Sequence, residues 1–304
     1  MLAQNLTDSS ARGMIDPVWY RGPVTDGKNG DGRTGDGIQM AQMVGAGVKG
    51  MHAIAGNAPY LPDLPPINQF MGADELKQGR CALAQPWLWV DQHGNRFFNE
   101  SRGSVFVDVY NAMTTAGGVM YNIIDQQKYD QLVNKGALLP FNAIVLAGVP
   151  LKALPKTYEI GQQRGWAFKG DTIEDLATKI GVPPQNLRAT MEKVNEYAKA
   201  GKDPEFGRLP EHLATFDMQK GPYYALKGIR AFFLTLGGVT VTPKFEATNP
   251  QGDVIANLYV VGQDIGGLYD SSYDLKCEGS ASSFAMTSGR VGAANAIQAI
   301  KEGK

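Results

Sequence analysis

Residues 258–297 read LYVVGQDIGGLYDSSYDLKCEGSASSFAMTSGRVGAANAI, and the order of residue types in this stretch decides the fold. A short apolar run, Leu258 to Val261, stops at Gly262. A loop rich in Gly, Ser and Tyr follows, and a helix rich in small residues closes the stretch. Strand, glycine loop and helix is the arrangement by which a chain wraps a cofactor bearing phosphate or a ring. It ordinarily opens a nucleotide-binding domain, whereas here it lies at the end of the sequence.

With 304 residues the chain can bury a large core, as one large or two ordinary domains. Its net charge of −1, from 29 basic and 30 acidic residues, leaves no electrostatic footprint for nucleic acid or an anionic membrane. The 37 glycines cluster at 27–50 and 262–292, which points to tight backbone turns near a ligand. Cys81 and Cys277 lie far apart without CxxC spacing, and the three histidines include no i, i+4 pair. Neither a disulfide framework nor a metal site is expected. Asp26, Asp31 and Asp36 sit in a glycine-rich loop, but their spacing does not suit a calcium loop of the EF-hand type. No apolar run reaches the length of a membrane span, and no basic-then-apolar signal pattern opens the sequence. A soluble, cytoplasmic protein is expected, with any export signal lying upstream.

The residues before Thr34 read as a helix fragment and then loop, with turn formers at Asp26–Gly27, Asn29–Gly30 and Asp31–Gly32. Ile38, Met40, Ala41, Met43 and Val44 are spaced as one helical face, opened by Asp36–Gly37. Segment 58–80 carries four prolines and reads as loop. CALAQPWLWVDQHGNRFFNES predicts two strands joined by a turn at Gln92–Gly94, and GGVMYNIIDQQKYDQLV predicts a strand, Val119 to Ile124, running into a helix. Trp19, Trp87 and Trp89 suit either a pocket for a bulky ring or, more commonly, a strand-face core. In DTIEDLATKIGVPPQNLRATMEKVNEYAKAGKDPEFGR, Asp171 or Thr172 caps a helix whose face is Ile173, Leu176, Ala177 and Ile180. Gly181 stops that helix, Pro183–Pro184 starts another, and Leu187, Met191, Val194 and Tyr197 form its buried face. From 222 onward strands dominate, with a hairpin around 249–253. The organisation expected is a glycine-rich domain in two pieces, 1–57 and 234–304, with a cap, 58–233, inserted between them.

RTGDGIQMAQMVGA, VDQHGNRFFNES, the helical pair ending in GKDPEFGR, LTLGGVTV and NLYVVGQDIGG…SGRVGAANA occur in this order along nearly the whole chain. Together they resemble the FAD-dependent fumarate reductase/succinate dehydrogenase flavoprotein superfamily, in its C-terminal two-thirds. The resemblance implies an α+β fold: part of a Rossmann-like, β-rich FAD-binding domain carrying an inserted α+β cap that clamps substrate. In that superfamily a GxGxxG unit holding the FAD pyrophosphate comes first. The present sequence contains no such fingerprint, so it is expected to be a piece of a longer flavoenzyme, with weak FAD affinity and little activity alone. A naturally separate subunit is the lesser alternative.

The resemblance also assigns roles. FAD would be held noncovalently. Gly279, Ser280, Ala281, Ser282 and Ser283 open a helix whose N-terminal N–H groups would stabilise the anion of the reduced ring. An ordinary capped helix is the plain alternative. Gly262, Gln263 and Asp264 match a strand-end glycine followed by an acid that grips the ribose or the adjacent chain. Gln263 replaces that acid, and Asp264 can supply the charge. Gly237 and Gly238 match a TxGG turn passing close to the ring, or form a plain hairpin turn. Fumarate reductases clamp a dicarboxylate with His and Arg side chains. Here Asn57 and Leu234 stand at two of those positions, and Arg102 lies two places early for the proton-donor Arg. Asn57 and Thr235 are candidate substrate contacts. RFFNES…FVDVYNAM and DSSYD are similar to the ketosteroid-type members, placing Tyr273 where their loop carries a catalytic tyrosine, with Lys276 able to lower its pKa. Tyr273 packing on the flavin edge and Arg102 as a surface or capping residue stay open as plainer readings.

The function expected is hydride transfer between flavin N5 and an activated C=C bond of a small or ring-bearing organic substrate other than fumarate, with the electron donor open. A ketosteroid-type dehydrogenase and a cofactor-free binding subunit or degenerate paralogue are the alternatives.

Overall fold

The computed structural model describes residues 35–50, 54–62, 69, 72–141, 145–269 and 279–303. In chain order the described elements are α1 (Asp36–Met43), β1 (Val48–Lys49), β2 (Ile54–Tyr60), α2 (Asp74–Leu83), β3 (Leu88–Val90), α3 (Phe106–Thr115), β4 (Val119–Asp125), α4 (Gln126–Asn134) and α5 (Leu154–Arg164). They continue with β5 (Ala167–Gly170), α6 (Ile173–Ile180), α7 (Pro184–Ala200), β6 (Tyr223–Thr235), β7 (Gly238–Val239), β8 (Glu246–Thr248), β9 (Val254–Tyr259) and α8 (Ser280–Lys301). This is an α+β chain. It divides into a sheet unit, Asn57–Ala231, and a glycine unit made of Met1–Gly56 and Phe232–Lys304.

The sheet unit is organised on β6. Strands follow the order β2-β6-β4-β3, with β5 also pairing β6. β4 runs antiparallel to β6 from Val119↔Ile229 to Asp125↔Tyr223, and β3 antiparallel to β4 through Trp89↔Asn122. Every β4 residue after Val119 is buried, so this strand is covered on both faces, and its polar members Asn122 and Asp125 are hydrogen-bonded. Trp87, Trp89 and Trp166 are fully buried, so the first two belong to the core; Trp19 lies outside the described residues. Trp89 stacks on Phe98 at 5.7 Å and donates from Nε1 to the Gln85 carbonyl at 2.9 Å.

Local chemistry sets the helix ends. Asp125 accepts from the Lys128 N–H at 3.1 Å to start α4, and Thr172 accepts from the Asp175 N–H at 3.1 Å to start α6. Gly181 ends α6 with φ 74, a conformation suited to glycine. Three expectations need correction. Segment 58–80 is not loop throughout, because β2 continues to Tyr60 and α2 begins at Asp74, beyond the last proline of the run, with Asp74 and Glu75 in its first turn. No second strand follows Gly94. Asp91 Oδ1 accepts from the N–H groups of His93 at 2.8 Å and Asn95 at 2.9 Å, curling the chain, and Arg96 is then drawn into the interior. On α7 the fourth buried position is Asn195 rather than Tyr197, because the Asn195 amide exchanges hydrogen bonds with the Phe216 backbone at 2.9 and 2.7 Å.

The glycine unit is built from short pieces. β1 pairs β7 antiparallel, Val239 bridges Ile265 in parallel, and β8 pairs β9 across the expected hairpin. Its buried core comprises Ile38, Ala41, Ala46, Val239, Ala247, Val260 and Ile265. The helical face expected on α1 is therefore narrower than the apolar spacing predicts: Met40, Met43 and Val44 are exposed, by 63%, 82% and 59%. Among the described residues no helix is long and apolar enough to cross a membrane.

Candidate functional site

The glycine unit brings together motifs that lie far apart in sequence. At Gly238 a side chain is impossible, since a Cβ would fall 2.6 Å from the Ile265 carbonyl carbon and 2.7 Å from that of Asp264. A Cβ on Gly266 would fall 2.5 Å from the Lys49 oxygen and 2.7 Å from the Gly238 carbonyl carbon. Three backbones thus lie in direct contact, held by the Gly266 N–H donating to the Val239 carbonyl at 2.9 Å. The close approach at Gly238 is to the chain itself. Gly237, its buried neighbour, joins β6 to β7.

Gly262 adopts φ 66, and its N–H donates to Ser288 Oγ at 2.9 Å. Ser288 is fully buried and passes its own proton to the Ala285 carbonyl at 3.1 Å, so the turn Gly262–Asp264 hangs from the middle of α8. The Asp264 carboxylate packs on the first turn of α1, where a Cβ on Gly37 would lie 3.2 Å from its Cγ. Burial pushes the Asp264 pKa above the usual aspartate value. Gln263 is exposed and makes no hydrogen bond to another described residue. Gly238, Gly262, Gln263 and Asp264 are thus assembled in one unit, with Gly37 and Ser288 as partners that sequence reasoning did not single out. Gly37 could have been found from the TGDG motif; a serine inside a small-residue helix offers no such signal.

α8 begins at Gly279, which takes φ 82 and gives no side-chain cap. The first-turn side chains Ser280, Ala281, Ser282 and Ser283 are small, and Ser283 Oγ donates back to the Ser280 carbonyl at 3.0 Å rather than capping the helix. Among the described residues no heavy atom lies within 4 Å of where a Gly279 Cβ would stand. A long helix whose N-cap glycine gives no side-chain cap complements an anionic phosphate or reduced flavin ring. The residues present therefore fit FAD.

Tyr273 and Lys276 lie outside the described residues. Asn57 occupies a position in β2, and Thr235 is the last residue of β6. Arg102 belongs to the sheet unit, where its Nε donates to Asp108 Oδ2 at 2.6 Å and its side chain is 55% exposed. A polar cleft of about 490 Å³ beside α4, lined by Asp125, Asp130, Asp217 and Lys220 among others, contains none of the candidates.

Two of the quoted motifs meet inside the sheet unit. Arg96 of RFFNES pairs with Glu100 Oε2 and with Asp203 Oδ2 of GKDPEFGR, each at 2.7 Å, while Arg208 pairs with Glu100 Oε2 at 3.3 Å. Arg208 also donates to the Trp87 carbonyl. Burial by itself would raise the Asp203 pKa; hydrogen bonds from Arg96 and the Arg208 backbone, with the Arg96 charge, outweigh it and hold the carboxyl well below the usual range. The specificity of these motifs comes from a buried ionic latch in the fold.

A family profile described as FAD binding domain matches residues 21–279. The chain is 30% identical over 301 residues to a vinyl phenol reductase of Lactiplantibacillus plantarum, covering 98% of this chain and 57% of that protein. It is 29% identical over 243 residues to an NADH:acrylate oxidoreductase of Vibrio harveyi, covering 79% of this chain and 21% of that protein. The chain thus spans less than two thirds of the length of these relatives. Among solved structures, the open conformation of a flavocytochrome c3 fumarate reductase shares the fold, with a TM-score of 0.55 and 23% identity over 87% of this chain and 40% of that one. On the profile match, the chain belongs to the FAD binding domain family.

Proposed function

We propose that the protein works as part of an FAD-dependent oxidoreductase that reduces an activated C=C bond of a small organic substrate other than fumarate. The observation carrying this reading is the glycine unit itself. An uncapped α8 N-terminus stands in the same unit as the packed Gly238 and Gly262–Asp264 turns, in a chain related to proteins named for vinyl phenol and acrylate. Bound FAD supplies a two-electron hydride carrier.

The chain's own residues supply the rest. The first-turn amides from Ser280 to Ser283 hold negative charge on the cofactor, and Gln263 offers a hydrogen bond to it. Tyr273 delivers a proton from its hydroxyl to substrate carbon, with Lys276 favouring the ionised state that follows. Asn57 and Thr235 are proposed substrate contacts, and Arg102 a second proton-donor candidate whose charge is shared with Asp108. The neutral residues at Asn57 and Leu234 argue against a dicarboxylate.

The test follows oxidation of reduced methyl viologen by the full-length, FAD-loaded protein on addition of 4-vinylphenol, acrylate or fumarate. Turnover of either of the first two, weak or absent with fumarate and about 100-fold slower in Tyr273→Phe, is expected. Preference for fumarate, or no turnover with any substrate, overturns the reading.

A further inference from the structure

Ser288 sits in the middle of α8, fully buried, at a position where alanine would be the better helix former. A buried hydroxyl has to be partnered, and this one is used twice. Its proton goes to the Ala285 carbonyl at 3.1 Å, and its oxygen accepts from the Gly262 N–H at 2.9 Å. The first bond satisfies the hydroxyl within the helix, and the second ties the helix to another segment.

Three positions on one face of α8 show how that segment runs. A Cβ on Gly292 would lie 2.8 Å from Val261 Cγ1, and one on Gly262 would lie 3.7 Å from Ala285 Cβ. Ala285, Ser288 and Gly292 follow each other at helical spacing, in a row along the helix. Val261 thus lies against Gly292, and Gly262 against Ser288 and Ala285, so the chain leaving β9 advances toward the N-terminal end of α8. The turn Gly262–Asp264 comes next and carries the exposed Gln263. Its far end is fixed separately, by the Asp264 carboxylate on Gly37 and by the Gly266 N–H on the Val239 carbonyl at 2.9 Å. α8 has anchors of its own: Phe284 lies edge-on to Phe245 with ring centroids 6.2 Å apart, and Asn295 Nδ2 donates to the Lys244 carbonyl at 3.1 Å. With the helix docked by these groups, the Ser288 bond sets the register between helix and turn.

We infer that Ser288 is a positioning residue for FAD, acting through the Gly262–Asp264 turn. It holds Gln263 at a fixed distance from the first-turn amides of α8, so that one cofactor meets both. This rests on the cofactor site proposed above and adds the residue that aligns its two parts. A helix rises 1.5 Å per residue, so a slip of one turn would displace the two groups by about 5 Å, farther than a hydrogen bond reaches.

The experiment compares variants of the full-length protein with wild type, by FAD titration after deflavination, by the flavin reduction potential and by hydrogen exchange. Ser288→Ala should weaken FAD binding about 10-fold, the effect of leaving the Gly262 N–H unpaired. It should also move the potential to more negative values, because the amides that stabilise the reduced anion lose their alignment. Exchange should quicken at Gly262–Asp264 and stay unchanged along α8. Ser288→Cys, which keeps a weak acceptor, should recover part of the affinity. Wild-type affinity and potential in Ser288→Ala overturn the inference. A loss of affinity with faster exchange along the whole of α8 also overturns it, since that marks a structural role alone. Ser282→Asp and Gln263→Ala probe the site itself, because a carboxylate in the first turn favours the helix but repels an anionic cofactor. If both bind FAD as wild type does, the cofactor-site reading fails. If both weaken binding and Ser288→Ala does not, the inference alone fails.

Discussion

The sheet unit and the glycine unit solve the folding problem by different means. The sheet unit buries three tryptophans, pairs β6 with three other strands and sinks a cluster of Arg96, Glu100, Asp203 and Arg208 into its interior. Among its described residues the glycine unit has a core cluster of seven buried residues and strands as short as two residues, and α8 buries only Ser288 and Gly292 of its 22 residues. Met286, Ile297 and Ile300 of that helix are exposed by 78%, 54% and 72%. Where little apolar area is buried, stability depends on close backbone approach and on whatever binds.

The largest effect expected on this contrast comes from Arg96→Ala, which leaves Glu100 and Asp203 buried without their main partner. Breaking such a pair costs about 3–5 kcal/mol, read as a lower urea midpoint for the sheet unit. A loss below about 1 kcal/mol would mean the latch contributes little beyond register. Gly266→Ala should cost about 1–3 kcal/mol by forcing the Lys49 and Gly238 backbones apart. Hydrogen exchange should accelerate in the glycine unit alone, and FAD affinity should fall at least tenfold; acceleration spread over both units would break the comparison. The smallest effect concerns acid. The Asp203 pKa is lower folded than unfolded, so its contribution is fully present above the ordinary aspartate range and is lost as pH falls through that range toward the depressed folded value. Asp264 runs the other way: burial raises its folded pKa, so it favours the folded state more as the carboxyl becomes protonated. Asp203→Asn should flatten acid destabilisation of the sheet unit, while Asp264→Asn should slightly stabilise the glycine unit at neutral pH. Both are checked by exchange rates against pH.

Much was legible before any coordinates, for identifiable reasons. The α6–α7 pair was readable because cap, apolar face and stop glycine are all local: Thr172, then Ile173, Leu176, Ala177 and Ile180, then Gly181. The strand at β4 and the hairpin of β8 and β9 were equally local. α2 was hidden by the prolines before it, and the lost strand after Gly94 by a carboxylate, Asp91, whose turn-forming bonds no periodicity reveals. Of the candidate site, Gly238, Gly262 and Asp264 were found as motif residues, but what they touch was not: Gly238 is small because another backbone lies on it.

The sequence alone determined the class of fold, the FAD-binding kinship and the helical pair, because caps, stops and motif order are short-range and survive without context. Only the tertiary structure decided that RFFNES and GKDPEFGR form one buried latch and that Asp264 faces Gly37. Those facts depend on which strands become neighbours, and strand pairing is settled by long-range burial and register, which no local pattern encodes.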